Sequence, residues 1–81
     1  MSISQTEMNP VAQSVAFVQS QLVVGLADGR TISVPVSWFP ALVNATEAQR
    51  ENWELLGEGE GIHWPELDED LSVKGLLLGK H

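Results

Sequence analysis

Leu22-Val23-Val24-Gly25-Leu26-Ala27-Asp28-Gly29-Arg30-Thr31-Ile32-Ser33-Val34-Pro35 holds two apolar runs on either side of a turn signal. Leu22, Val24 and Leu26 alternate with their neighbours, as do Ile32 and Val34, so each half reads as a strand with one apolar face. Asp28-Gly29 suggests a two-residue turn, but that register sets Leu26 against Thr31 and Val24 against Ser33, apolar against polar. A three-residue loop, Ala27-Asp28-Gly29, instead pairs Val24 with Ile32 and Leu22 with Val34, and gives Gly29 the left-handed position of a G1 bulge. The hairpin is therefore expected to turn through those three residues. Pro35 cannot donate a ladder hydrogen bond, so its strand is expected at a sheet edge, where a second copy could pair.

Upstream, Val15 and Phe17 continue the period-two pattern, interrupted by Gln19-Ser20-Gln21, which implies two strands or one long bent strand. Residues 1–13 show no sustained period and read as a flexible N-terminal lead-in, leaving residues 14–81 as a single domain. Downstream, Ser37 is a candidate cap for a short turn over residues 38–43 that tolerates Pro40 in its first turn. Thr46 and Gln49 form a capping-box pattern opening a second short helix. Residues 54–65 read as strand, glycine-rich bend and strand, with Pro65 discouraging helix at Trp64. Ser72 is placed to cap a last helix from Val73 to Leu78, closed by Gly79, with Lys80 near its negative end. The expected fold is α+β: a small antiparallel hairpin or meander sheet with two to three short helices.

A chain of 81 residues buries only about 60–65% of its unfolded surface, so its core is thin. Without cysteine, no disulfide supports it. Packing by Trp38, Trp53, Trp64, Phe17 and Phe39, or self-association, must compensate, and a two-fold homodimer is the expected assembly. The absence of cysteine, and a start that lacks the basic and apolar segments of a signal peptide, point to the cytoplasm. No apolar run approaches the length of a membrane span.

Net charge is −7, and its distribution says more than its sum. Nine of eleven carboxylates lie between residues 47 and 70, where Arg50 is the one basic residue. Such a surface repels phosphate backbones and anionic lipids, which argues against a direct nucleic-acid or membrane partner.

The motifs carry little chemistry. Gly57-Glu58-Gly59-Glu60-Gly61 matches no phosphate-binding spacing, and its two carboxylates oppose an anion, so it reads as a flexible turn with an acidic tip. His63, Glu66, Asp68, Glu69 and Asp70 are the densest set of potential metal ligands, but their spacing is not that of a calcium loop, and solvated or capping carboxylates are the simpler reading. His63 and His81 are the only imidazoles. His63, between Ile62 and Trp64, reads as a packed or hydrogen-bonded residue, and no catalytic residues and no cofactor are assigned.

Leu26-Ala27-Asp28-Gly29-Arg30-Thr31-Ile32-Ser33-Val34-Pro35, Trp38-Phe39-Pro40, Gly59-Glu60-Gly61-Ile62-His63-Trp64-Pro65 and residues 67–77, in that order, resemble the bacterial family called domain of unknown function 2442. The resemblance spans about residues 14 to 79. It implies a small α+β fold and, from the family's gene neighbourhood, a toxin–antitoxin type of partnership. In some members a helix-turn-helix follows this domain; none is expected here, so a DNA-binding role is not expected to carry over.

Two functional expectations result. The first is an antitoxin-like interaction and regulatory module whose surface at Glu58, Glu60, Glu66, Asp68, Glu69 and Asp70 meets a basic protein. The second is a small-ligand or metal-sensing domain around His63 and Asp68 to Asp70. Gly29, Trp38, Pro40, Trp53, His63, Trp64 and Pro65 are expected to serve structure.

Overall fold

The computed structural model describes residues 10–79. The chain runs through β1 (Ala12–Val18), β2 (Gln21–Leu26), β3 (Thr31–Pro35), a 3-10 turn (Val36–Trp38), α1 (Pro40–Val43), α2 (Glu47–Glu51), β4 (Glu54–Leu56), β5 (Gly61–Trp64), β6 (Glu69–Ser72) and α3 (Val73–Leu77). The expected antiparallel meander occurs twice, as three-stranded sheets β1-β2-β3 and β4-β5-β6.

The β2–β3 register is the one parity selects, with Val24 opposite Ile32 and Leu22 opposite Val34. The loop closes as a turn with a bulge: Gly29 N donates to Leu26 O at 3.0 Å, Leu26 N donates to Arg30 O at 2.8 Å, and Gly29 has φ +98°. Asp28 accepts from the Arg30 backbone N–H at 3.0 Å and from its Nε at 2.8 Å, and this carboxyl is held below its ordinary value, first by the backbone donor. Pro35 ends β3, which is an edge strand as its missing donor requires.

Gln19-Ser20 is a two-residue turn that separates β1 from β2, with Val18 opposite Gln21. Both turn residues have positive φ, +50° and +68°, the mirror-image turn that matches strand twist. Of the expected lead-in, residues 1–9 lie outside the described residues, as do Lys80 and His81. The strand itself begins at Ala12 rather than Ser14. Ala12 is buried, and its N–H reaches Gly59 O at 2.7 Å, a contact made across the fold and not by local pattern.

Ser37 is not a cap. It lies inside the 3-10 turn, because Val36 N–H already donates to Ser20 O at 3.0 Å and the chain turns directly out of β3. Pro40 occupies the first turn of α1, where a missing N–H costs nothing. Thr46 and Gln49 form the reciprocal capping box, at 3.1 and 2.9 Å, and Ser72 accepts from Gly75 N at 3.1 Å to start α3.

Both sheets turn their apolar faces to one core: Leu22, Val24 and Leu26 from β2, Ile32 and Val34 from β3, and Ile62 and Trp64 from β5, closed by Leu42 of α1 and by Val73 and Leu76 of α3. Among the described residues no helix is long and apolar enough to cross a membrane.

Candidate interaction surface

Strand parity builds the outer face of the second sheet. Ile62 pairs with Leu55 and Leu71 toward the core, so the next row, Glu54–His63–Asp70, faces outward. His63 Nδ1 and Asp70 Oδ1 are hydrogen-bonded across β5 and β6. Asp70 raises the His63 pKa above its ordinary value mainly through that bond, burial opposes the shift, and the charges of Asp70, Glu54 and Asp68 add to it.

The six expected surface residues fall in three places. Glu58 and Glu60 occupy the β4–β5 turn at one end of the sheet, while Glu66 and Asp68 occupy the β5–β6 turn at the other. Asp68 adopts φ +53°, which a short polar side chain tolerates, and Glu66 Oε2 accepts from Asn52 Nδ2 at 2.9 Å. Glu69 and Asp70 lie in β6. Glu69 sits opposite Trp64 and is half-buried, whereas Asp70 is the partner of His63.

The glycine turn is more firmly held than its composition suggests. Gly59 N and Glu60 N both donate to Leu56 O, Gly59 O accepts from Ala12, and Glu60 O accepts from Val73 N at 3.0 Å. Gly59 is buried at φ +106°, and a Cβ there would lie 2.5 Å from Ala12 O. The turn is thus pinned to β1 and α3, while Gly57, Glu58 and Glu60 remain exposed to solvent.

Of the aromatic residues, Trp64 is fully buried, and its ring meets Phe17 edge-on at 6.3 Å. Trp38 and Trp53 are half-buried against the core. Pro65 opens the β5–β6 turn, in which Leu67 N donates to Trp64 O at 3.1 Å. Arg50 is a junction that composition alone does not reveal. Its Nε donates to Leu42 O at 2.9 Å, its guanidinium lies 5.2 Å from the Phe17 ring centroid, and its carbonyl accepts the Trp64 indole N–H. Among the described residues no three His, Asp or Glu side chains converge to hold a metal ion.

The family model described as "Protein of unknown function (DUF2442)" matches residues 12–81. Two solved structures are similar. A protein of unknown function from Rhodospirillum rubrum is 34% identical, with 88% of each chain covered and a TM-score of 0.76. The solution structure of an uncharacterized protein from Chromobacterium violaceum is 29% identical, with 86% of this chain and 66% of that one covered and a TM-score of 0.74. No curated protein matches.

Proposed function

We propose, from the premise that the chain belongs to the DUF2442 family, that it is a cytoplasmic protein-interaction and regulatory module whose acidic half receives a basic partner. The observation that carries this reading is uncompensated charge. Of the nine carboxylates between residues 47 and 70, only Asp70 has an ion-pair partner among the described residues. The one guanidinium in that segment, Arg50, is directed at two backbone carbonyls and an aromatic ring. A segment whose charge of one sign is left unneutralised steers oppositely charged partners and accelerates their association.

The test uses a partner captured from the native cell and the variant Glu58→Gln/Glu60→Gln/Glu66→Gln/Asp68→Asn, which spares the His63–Asp70 pair. The on-rate of the unaltered chain should fall steeply with salt. The variant should associate more slowly at low salt and lose most of that dependence, while its stability shifts by no more than about 0.5 kcal/mol, the usual range for surface changes. Equal rates for both proteins at both salt concentrations would show that the carboxylates only solvate the domain.

A further inference from the structure

β1 is one of the two edge strands of the first sheet, and its backbone is open where it passes α2. Because Val18 and Gln21 flank a two-residue mirror-image turn, they form a hydrogen-bonded pair, and so do Ala16 with Val23. The N–H and C=O groups of Val15 and Phe17 therefore point away from β2. Among the described residues no hydrogen bond reaches them. Natural edges are blunted with lysine, proline or bulges, yet from Ser14 to Val18 the strand carries none of these, and its one register irregularity lies earlier, between Ala12 and Ser14.

Beside this edge lies a cavity of ≈490 Å³. Val15, Phe17 and Trp53 form its apolar and aromatic wall, and Glu47 and Glu51 of α2 bring carboxylates that have no ion-pair partner among the described residues. Arg50 also lines it, but its side chain is bonded to Leu42 O and Val43 O and packs toward Phe17, so it pairs with neither carboxylate and the lining keeps an excess of negative charge. A strand added beside β1 sends alternate side chains to the face that Val15 and Phe17 share. Aromatic rings with adjacent carboxylates suit a lysine or arginine there, since the rings cover the aliphatic stem or face the cation and the carboxylates meet the charge.

We propose that the β1 edge takes an extended basic segment of the partner as a fourth strand, with a lysine or arginine side chain in the Phe17–Trp53–Glu47–Glu51 cavity. The inference rests on the basic-partner reading above and gives that partner a backbone conformation. Charge argues against a second copy as the occupant: residues 12–18 contain no basic side chain, and a copy would bring a net charge of −7 and its own Glu47 and Glu51 to the same place.

A blocked peptide of alternating valine and lysine is the probe, titrated at low salt against the intact chain and followed by amide NMR and Trp fluorescence. The amides of Val15 and Phe17 should shift and become protected from exchange. Binding should be about tenfold or more tighter than that of the glutamate analogue, in keeping with electrostatic selection at a charged edge. It should weaken in Glu47→Gln/Glu51→Gln, and it should be lost when the peptide amides facing β1 are N-methylated but not when the alternate amides are. Binding that ignores N-methylation, or that is lost only with the changes at residues 58–68, overturns the strand site and leaves the acidic-face reading standing. Equal binding of the lysine and glutamate peptides overturns both. Sedimentation of the chain alone completes the test: a dimer that protects the Val15 and Phe17 amides assigns the edge to a second copy and overturns the proposal.

Discussion

The indole Nε1 of Trp64 donates to the backbone carbonyl of Arg50 at 2.9 Å, joining β5 to the last turn of α2. The Arg50 side chain then continues to Leu42 O at the end of α1. One buried ring thus holds both short helices against the second sheet. Neither helix, at four and five residues, would persist alone, since isolated helices shorter than about 12 residues are marginal in water.

Replacing Trp64 with phenylalanine should therefore cost more than its lost volume. The smaller ring leaves a void and removes the donor to the Arg50 carbonyl, and the two effects together should cost about 2–4 kcal/mol in urea denaturation. In a variant lacking Trp38 and Trp53, the emission of Trp64 should be blue-shifted, as its burial requires. Water-like emission would contradict the fold described.

Gly29 and Gly59 both have positive φ, but their surroundings differ. A Cβ at Gly29 meets nothing within 4 Å, so Gly29→Ala should cost only the backbone strain, about 1 kcal/mol. A Cβ at Gly59 would lie 2.5 Å from Ala12 O, so Gly59→Ala must also displace the start of β1. Its denaturation midpoint should fall well below that of Gly29→Ala, and equal midpoints would contradict the pinned turn.

The turn between β1 and β2 holds two non-glycine residues in the left-handed region. Gln19→Asn with Ser20→Gly supplies the pair that this turn type prefers, and should stabilise by about 1 kcal/mol. Thermal melting reads the effect, and an unchanged or lower midpoint would count against the turn geometry.

The His63–Asp70 pair makes stability depend on pH. Its folded-state pKa lies above the ordinary 6.5, so the folded chain binds the proton more tightly than the unfolded one. That contribution is fully present below about pH 6.5 and is lost as pH rises through the folded value. NMR titration of His63 should give a raised midpoint that returns toward the ordinary value in Asp70→Asn. The melting temperature of that variant should lose the part of its pH slope that lies above 6.5. An unshifted His63 in the unaltered chain would remove the basis for this expectation.

Much of the local structure was legible in the sequence. Parity around Ala27-Asp28-Gly29 admits one register that buries Leu22, Val24, Ile32 and Val34 together, and the caps at Thr46 and Ser72 follow from side-chain chemistry within three residues. The strand β6 was not legible, although Leu67, Leu71 and Val73 carry a faint period of two, because Glu69-Asp70 has poor strand propensity and reads as solvated loop. It becomes a strand because β5 lies beside it, placing Leu71 opposite Ile62 and Asp70 opposite His63. Likewise, sequence showed that residues 47–70 are acidic, but not that Glu47 and Glu51 stand beside the open edge of β1 while Glu58 and Glu60 ride on a turn pinned to Ala12. Turns, caps and parity are decided by neighbours within a few residues. The anchoring of Gly59 to Ala12 and the gathering of Phe17, Trp53 and α2 around one cavity depend on contacts between distant segments, which only the closed core brings into range.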